Sequence, residues 1–306
     1  MNKVVVSVPG KVHLMGEHAV VYGKPALLAA INVRLSVAIE PSKKLEIISS
    51  EPTDYARHAV DFLLDQFRIK DPAPFTVTID SQIPAGYHLG SSAAVAVGLA
   101  GAMMYYFKKL WNPIRINELA YEIEKKQHGN PSGGDNTTVT VGGFVWFRKE
   151  LEFLKSIWQL PFKPHPSLDH FFLIDTGRPK ETTGEMVALV STKYKEQSTK
   201  FDKLFAENEQ QTKRVAKALK EGNEKELIDA IRVGERTLEG MGVVSKKVIP
   251  LIRKIERAGG AAKILGGGGK ADGVGFLLCH HSNPKVVKEK KQYIALGEEG
   301  IRLEQK

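Results

Sequence analysis

The chain has 306 residues, 42% hydrophobic and 26% charged, which is enough apolar material for a sizeable core and enough length for two closely packed domains. The formal net charge of +9 is scattered through lysine-rich clusters such as KEKK; it reads as a solvated surface with a field favourable to small anions, not as a nucleic-acid interface. A lone cysteine excludes an internal disulfide, and no run is long and apolar enough for a membrane span or a signal peptide, so a cytoplasmic protein is expected.

Residues 4–8 (VVVSV) have strand composition and lead into Pro9, Gly10 and Lys11, which read as a turn carrying a cation. Glu17 and His18 follow Gly16, so three polar side chains are interleaved with Val12, Leu14 and Val20. Lone charges of this kind are ordinarily solvated surface; set among apolar residues, these suggest a cleft lining. Residues 45–49 (LEIIS) and 75–80 (FTVTID) are further strands, the second with period-two alternation. Between them Ala56, Val60, Leu63, Leu64 and Phe67 share one face of a helix over 55–67.

The segment 83–94, IPAGYHLGSSAA, opens the next helix. Its glycines allow close backbone approach, and free N–H groups at a helix start favour an anion. Ser91 and Ser92 add hydroxyls at the first turn, where one could cap the helix or ligate Mg²⁺. It is not a Walker A loop, because no GK[ST] follows at the required spacing. Taken alone, it reads equally as a structural cap and as a phosphate site. Residues 91–110 are small and apolar almost all round and predict a buried helix. Glu122 and Glu124 lie on another helix-like run, followed by HGNPSGGD over 128–135. A carboxylate ending a Gly/Pro/Ser turn, as Asp135 does, is fixed in direction and suits facing a substrate hydroxyl. Residues 139–147 (VTVGGFVWF) are expected as a strand.

Beyond Pro164, where a domain boundary is placed between two proline-containing turns, the style changes. A strand over 171–175 leads to a helical region over 183–222, then to helices over 224–239 and 245–258. AAKIL and GVGFLLC read as two strands around the glycine loop KILGGGGKADGVGF (263–276), and Cys279 in the second as a buried structural thiol. Four successive glycines carry a high entropic cost, and their tight apolar flanks argue for a loop packed near a ligand over a linker.

These motifs resemble those of the GHMP small-molecule kinases, and GKVHLMGEHAVVYGKPAL resembles the mevalonate kinases within that superfamily. LGSSAA, HGNPSGGDN and DTGRPKET match further family segments, so the resemblance spans nearly the whole chain. It implies an α+β fold of two domains, 1–164 and 165–306, with the active site in the cleft between them. It further implies phosphoryl transfer from ATP to mevalonate, with Asp135 as the catalytic carboxylate and Lys11 beside it. Ser92 and Glu124 would hold Mg²⁺, and Glu17, His18 and Thr182 would contact the acceptor. The phosphates would lie on Gly86, His88, Leu89, Gly90, Ser91 and Ser92, with Gly267 and Gly268 opposite. The resemblance admits a homodimer and gives no part to nucleic acid or membrane. Two departures stand out: Tyr87–His88 in place of glycine before LGSS, and the inserted Lys270, Ala271 and Asp272. A phosphorylated-mevalonate, homoserine or sugar kinase of the same superfamily is the alternative. His88 is expected to point to solvent, with a phosphate contact as the other reading; Lys270 is read as a phosphate contact or a solvated tip.

Overall fold

The computed structural model describes residues 3–128, 131–151 and 154–305. Gly129 and Asn130 of the HGNPSGGD segment therefore lie outside the described residues. The fold is α+β and contains two sheets.

The first sheet is built on a long hairpin. β1 (Val4–Met15) pairs antiparallel with β2 (Pro25–Pro41) along nearly its full length. The strand does not end in a turn at Pro9–Gly10–Lys11, as expected from sequence. It continues with its register shifted between Pro9 and Gly10, which leaves Lys11 in mid-strand opposite Ala30. A proline and a glycine in a strand are tolerated at such an irregularity. β2 was not anticipated: its first half is buried on both faces and lacks alternation, while Val33, Leu35, Val37 and Ile39 alternate inward in its second half. β3 (Glu46–Ser49) and β4 (Phe75–Ser81) extend this sheet on one side.

Three helices complete this part before the last strands. α1 (Asp54–Gln66) and α2 (Ser91–Lys108) lie where the sequence predicts them, and α3 (Pro113–His128) carries Glu124. α2 is buried almost all round. Gly98 allows its close approach to the sheet, because a Cβ there would stand 2.7 Å from Val37 Cγ2.

The expected strand over 139–147 is corrected by α4 (Gly134–Val141), an eight-residue helix that ends at Gly142. The strand β5 begins only at Phe144 and runs to Lys149, pairing with β2 and with β6 (Lys155–Leu160). Thr138 and Thr140 return their hydroxyls to the carbonyls of Gly134 and Asn136, four residues back, so these β-formers sit in a helix with their polar atoms satisfied.

The second sheet holds β7 (Phe171–Asp175), β8 (Ala261–Ile264), β9 (Phe276–His280) and β10 (Gln292–Ile294), in the order β10-β7-β9-β8. One face, with Phe172, Ile174, Ala262, Leu277 and Cys279, is covered by α5 (Thr183–Glu196), α6 (Ser198–Glu221), α7 (Glu224–Met241) and α8 (Ile249–Arg257). The other face, with Phe171, Leu173, Ala261 and Leu278, joins the core of the first sheet. The change of sheet falls between β6 and β7, on either side of Pro164, but β11 (Arg302–Gln305) returns to pair with β1. Among the described residues no helix is long and apolar enough to cross a membrane.

Candidate active site

Period-two alternation along β1 puts Lys11 and His13 on the same face of the strand. Lys11 is buried, and its Nζ lies 3.0 Å from Asp135 Oδ2 and 3.2 Å from His13 Nδ1. Asp135 sits in the first turn of α4, where the helix dipole favours a carboxylate. Burial opposes its ionisation, but the Lys11 ammonium, by its charge and its hydrogen bond, outweighs that and holds the carboxyl below its ordinary range. The side chain is still 38% exposed, so the carboxylate is both ionised and reachable.

The turn before α2 lies alongside. The Leu89 carbonyl accepts the Lys11 N–H at 2.9 Å. Gly90, at φ 79°, is packed so closely on the Lys11 side chain that a Cβ would stand 2.8 Å from Lys11 Cγ. Gly90 is also the N-cap of α2, so the cap position holds a glycine and neither Ser91 nor Ser92 occupies it. Instead the Ser92 hydroxyl donates to Glu124 Oε1, and the Tyr55 hydroxyl donates to the same oxygen.

That arrangement suits Mg²⁺. A carboxylate and a hydroxyl side by side are hard oxygen donors, and Mg²⁺ bound with phosphates needs few from the protein. Among the described residues no three carboxylate, histidine or cysteine side chains converge, so the site offers this pair and not an all-protein cage.

His88 departs from expectation. It does not point to solvent: its Nε2 is buried without a partner, and a Cβ on Gly266 would stand 2.8 Å from its own Cβ. Burial, then Lys11, pushes its pKa down to about 4. Tyr87 packs against Phe276 with ring centroids 5.0 Å apart and the planes tilted by 44°, so the Tyr87–His88 pair seats the loop against the second sheet. The backbone at His88 has φ 64°, a left-handed conformation uncommon for a residue with a side chain.

Glu17 and His18 face the glycine loop. His18 Nε2 lies 3.1 Å from the Gly267 carbonyl, its Nδ1 is buried without a partner, and burial pushes its pKa down to about 4. It holds φ 59°, the kind of strain that a packed site sustains. Glu17 is buried and paired with Lys263 of β8. Gly268 packs under the Val243 carbonyl, 2.3 Å from where a Cβ would be. Thr182 is the N-cap of α5. Its hydroxyl, exposed, is engaged in a capping box with Glu185 at the start of α5. Its neighbour Thr183 lies against Gly267. Lys270 is exposed at the loop tip, while Asp272 pairs with Lys180 and Lys247.

Sequence reasoning missed several residues here. Lys263, buried in mid-strand, could have been found as the one charge in AAKIL. His13 could have been found from alternation, had the strand been read past Pro9. Tyr55 stands in the sequence only as the first residue of the helix over 55–67. Arg178 packs its guanidinium over Gly86, where a Cβ would stand 2.5 Å from Nε; it lies in the DTGRPKET segment, but nothing there tied it to Gly86. A depression of about 610 Å³ beside the N-terminus of α7, lined by Glu224, Asp229 and Arg232, shares no residue with this site.

The GHMP kinases N terminal domain family matches residues 54–143, which hold Ser92, Glu124 and Asp135. The mevalonate kinase of Archaeoglobus fulgidus is 32% identical over 98% of this chain and 100% of its own length. The chain belongs to the mevalonate kinase family. The mevalonate kinase of Pyrococcus abyssi is 30% identical over 99% of this chain and 98% of its own. L. major mevalonate kinase in complex with R-mevalonate shares the fold, with a TM-score of 0.82 at 19% identity over 98% of this chain and 97% of that one. Residues 1–41 also match the galactokinase galactose-binding signature, the segment that contains Lys11, Glu17 and His18.

Proposed function

We propose that the protein transfers the γ-phosphoryl group of ATP to the primary hydroxyl of mevalonate, giving 5-phosphomevalonate. The observation that carries the reading is the Lys11–Asp135 pair at 3.0 Å, set against the turn that precedes α2.

Phosphoryl transfer asks a protein chiefly for alignment and charge neutralisation. Asp135, kept ionised by Lys11, accepts the proton of the acceptor hydroxyl and points its oxygen at the phosphorus. Lys11 supplies positive charge where negative charge develops. Ser92 and Glu124 would hold Mg²⁺, which would supply positive charge to the phosphates of ATP. Gly86, His88, Leu89, Gly90, Ser91 and Ser92 line the phosphates from one side, Gly267 and Gly268 from the other. Glu17, His18 and Thr182 bound the acceptor: Glu17 and His18 through the walls they fix, Thr182 through a hydroxyl at the start of α5. The same reading puts the enzyme in the cytoplasm, built of two domains meeting near Pro164.

The test is ADP release from Mg²⁺–ATP with mevalonate, phosphomevalonate, homoserine and galactose offered separately. Turnover on mevalonate alone, in the roughly 1–100 s⁻¹ range of kinases, is expected. Silence on mevalonate with activity on another acceptor would overturn the substrate and leave the phosphotransferase.

A further inference from the structure

The Lys11 ammonium has three N–H donors and no acceptor. One N–H faces Asp135 Oδ2 at 3.0 Å, and another faces His13 Nδ1 at 3.2 Å. Because the lysine can only donate, His13 Nδ1 must be the bare, accepting nitrogen, with the ring proton on Nε2. His13 is fixed from its backbone as well, since Lys263 Nζ donates to the His13 carbonyl at 3.1 Å. The charged and titratable groups around the ring come from four elements: Lys11 on β1, Lys263 on β8, His88 from the loop before α2 and Asp135 on α4. Burial, then Lys11, holds the ring pKa well below its ordinary value, so His13 is neutral and able to accept at neutral pH.

We propose that His13 is a positioning residue for the phosphoryl transfer: its Nδ1 and the Asp135 carboxylate each hold one N–H of Lys11, which aims the third at the transferring group. This rests on the role given to Lys11 under the proposed function. A lysine on a flexible four-carbon stem fixes no direction by itself. Two acceptors on different elements convert it from a local positive charge into an oriented donor. Among the described residues no third acceptor for the Lys11 ammonium is found, which leaves the remaining N–H for substrate.

Two substitutions separate orientation from space-filling. His13→Leu keeps much of the volume and removes the acceptor; His13→Asn keeps a short side chain with an accepting oxygen. His13→Leu is expected to lower kcat by about tenfold to a hundredfold, the size of a hydrogen bond to a charged group. KM for ATP and for the acceptor should change by less than about twofold, as for an interaction that matters in the transition state. His13→Asn should recover most of the lost kcat. Wild-type kcat in His13→Leu, a loss confined to KM, or no recovery in His13→Asn would each overturn the proposal.

A second measurement needs no substrate and reads the wild-type ring itself. In the wild-type chain labelled with ¹⁵N-histidine at pH 7, His13 should show the neutral ring protonated on Nε2, its signals assigned by their loss in His13→Asn. A ring protonated on Nδ1, or on both nitrogens, overturns the proposal whatever the substrate. If another acceptor of the panel is the one phosphorylated, the same kcat ratio is read on that acceptor. The substrate assignment then fails while the role of His13 is still decided.

Discussion

Lys263 of β8 and Glu17, 246 residues apart in sequence, form a buried ion pair between the glycine-loop strand and the segment after β1. Lys263 also donates to the carbonyls of His13 and Ile264, so all its hydrogen-bonding capacity is spent inside the protein. The pair joins the two sheets at the point where both contribute to the candidate site.

Breaking such a pair from one side leaves an uncompensated buried charge. Lys263→Met is expected to cost roughly 3–5 kcal/mol of stability by that route. Pairing it with Glu17→Gln removes the orphaned carboxylate and should restore a large part of the loss. Denaturant unfolding of the two single variants and the double variant measures the coupling. A Lys263→Met protein as stable as the wild type would show that the pair holds nothing together.

Asp135→Asn keeps the shape of the side chain but removes its charge and basicity. Turnover should fall roughly 10²–10⁴-fold, as for loss of a general base, with the fold intact. Steady-state kinetics with mevalonate, alongside a thermal melt, check this. Near-normal turnover would remove Asp135 from the mechanism.

Ser92 and Tyr55 both donate to Glu124 Oε1. Ser92→Ala should therefore raise the Mg²⁺ concentration needed for half-maximal rate at saturating ATP. Tyr55→Phe should raise it less, because Tyr55 acts only by fixing the carboxylate. A Mg²⁺ dependence unchanged in Ser92→Ala would exclude that hydroxyl as a ligand.

Much of this site was legible because its pieces are local in sequence. The GEH segment, the serine turn and Asp135 each announce themselves within a few residues, and the glycine loop does so by composition. What escaped is what depends on pairing across the fold. β1 was cut short at Pro9 because a proline and glycine read as a turn, yet the bulge absorbs both. β2 escaped because a strand buried on both faces loses its alternation. The β-branched residues 139–141 suit a strand, but threonine hydroxyls bonded back along the helix let α4 continue to Val141. His13, Lys263 and Arg178 took their meaning only from partners far away in the chain.

The pH dependence of stability follows from buried groups of opposite kinds. Burial raises the Glu235 pKa from its ordinary 4.5 to about 8, against the attraction of Lys263, and raises Glu17 in the same sense. Between those values the folded protein keeps a proton that the unfolded chain has released. The stability this gives is full below pH 4.5 and is lost as pH rises through about 8. His18, His88 and His280 run the other way: burial lowers each from 6.5 to about 4. Their contribution is full above pH 6.5 and is lost as pH falls through about 4, because the unfolded chain binds protons first. From pH 6.5 to 8 Glu235 therefore sets the slope, and below 6.5 the three histidines oppose and exceed it. Unfolding free energy should peak near pH 6.5 and decline on both sides. Glu235→Gln, which cannot ionise, should flatten the decline between pH 6.5 and 8 and leave the acid side as it was. Urea titrations at a series of pH values read both limbs. A wild-type stability still rising from pH 6.5 to 8, or an alkaline decline that survives Glu235→Gln undiminished, would show that Glu235 is not protonated in the folded protein.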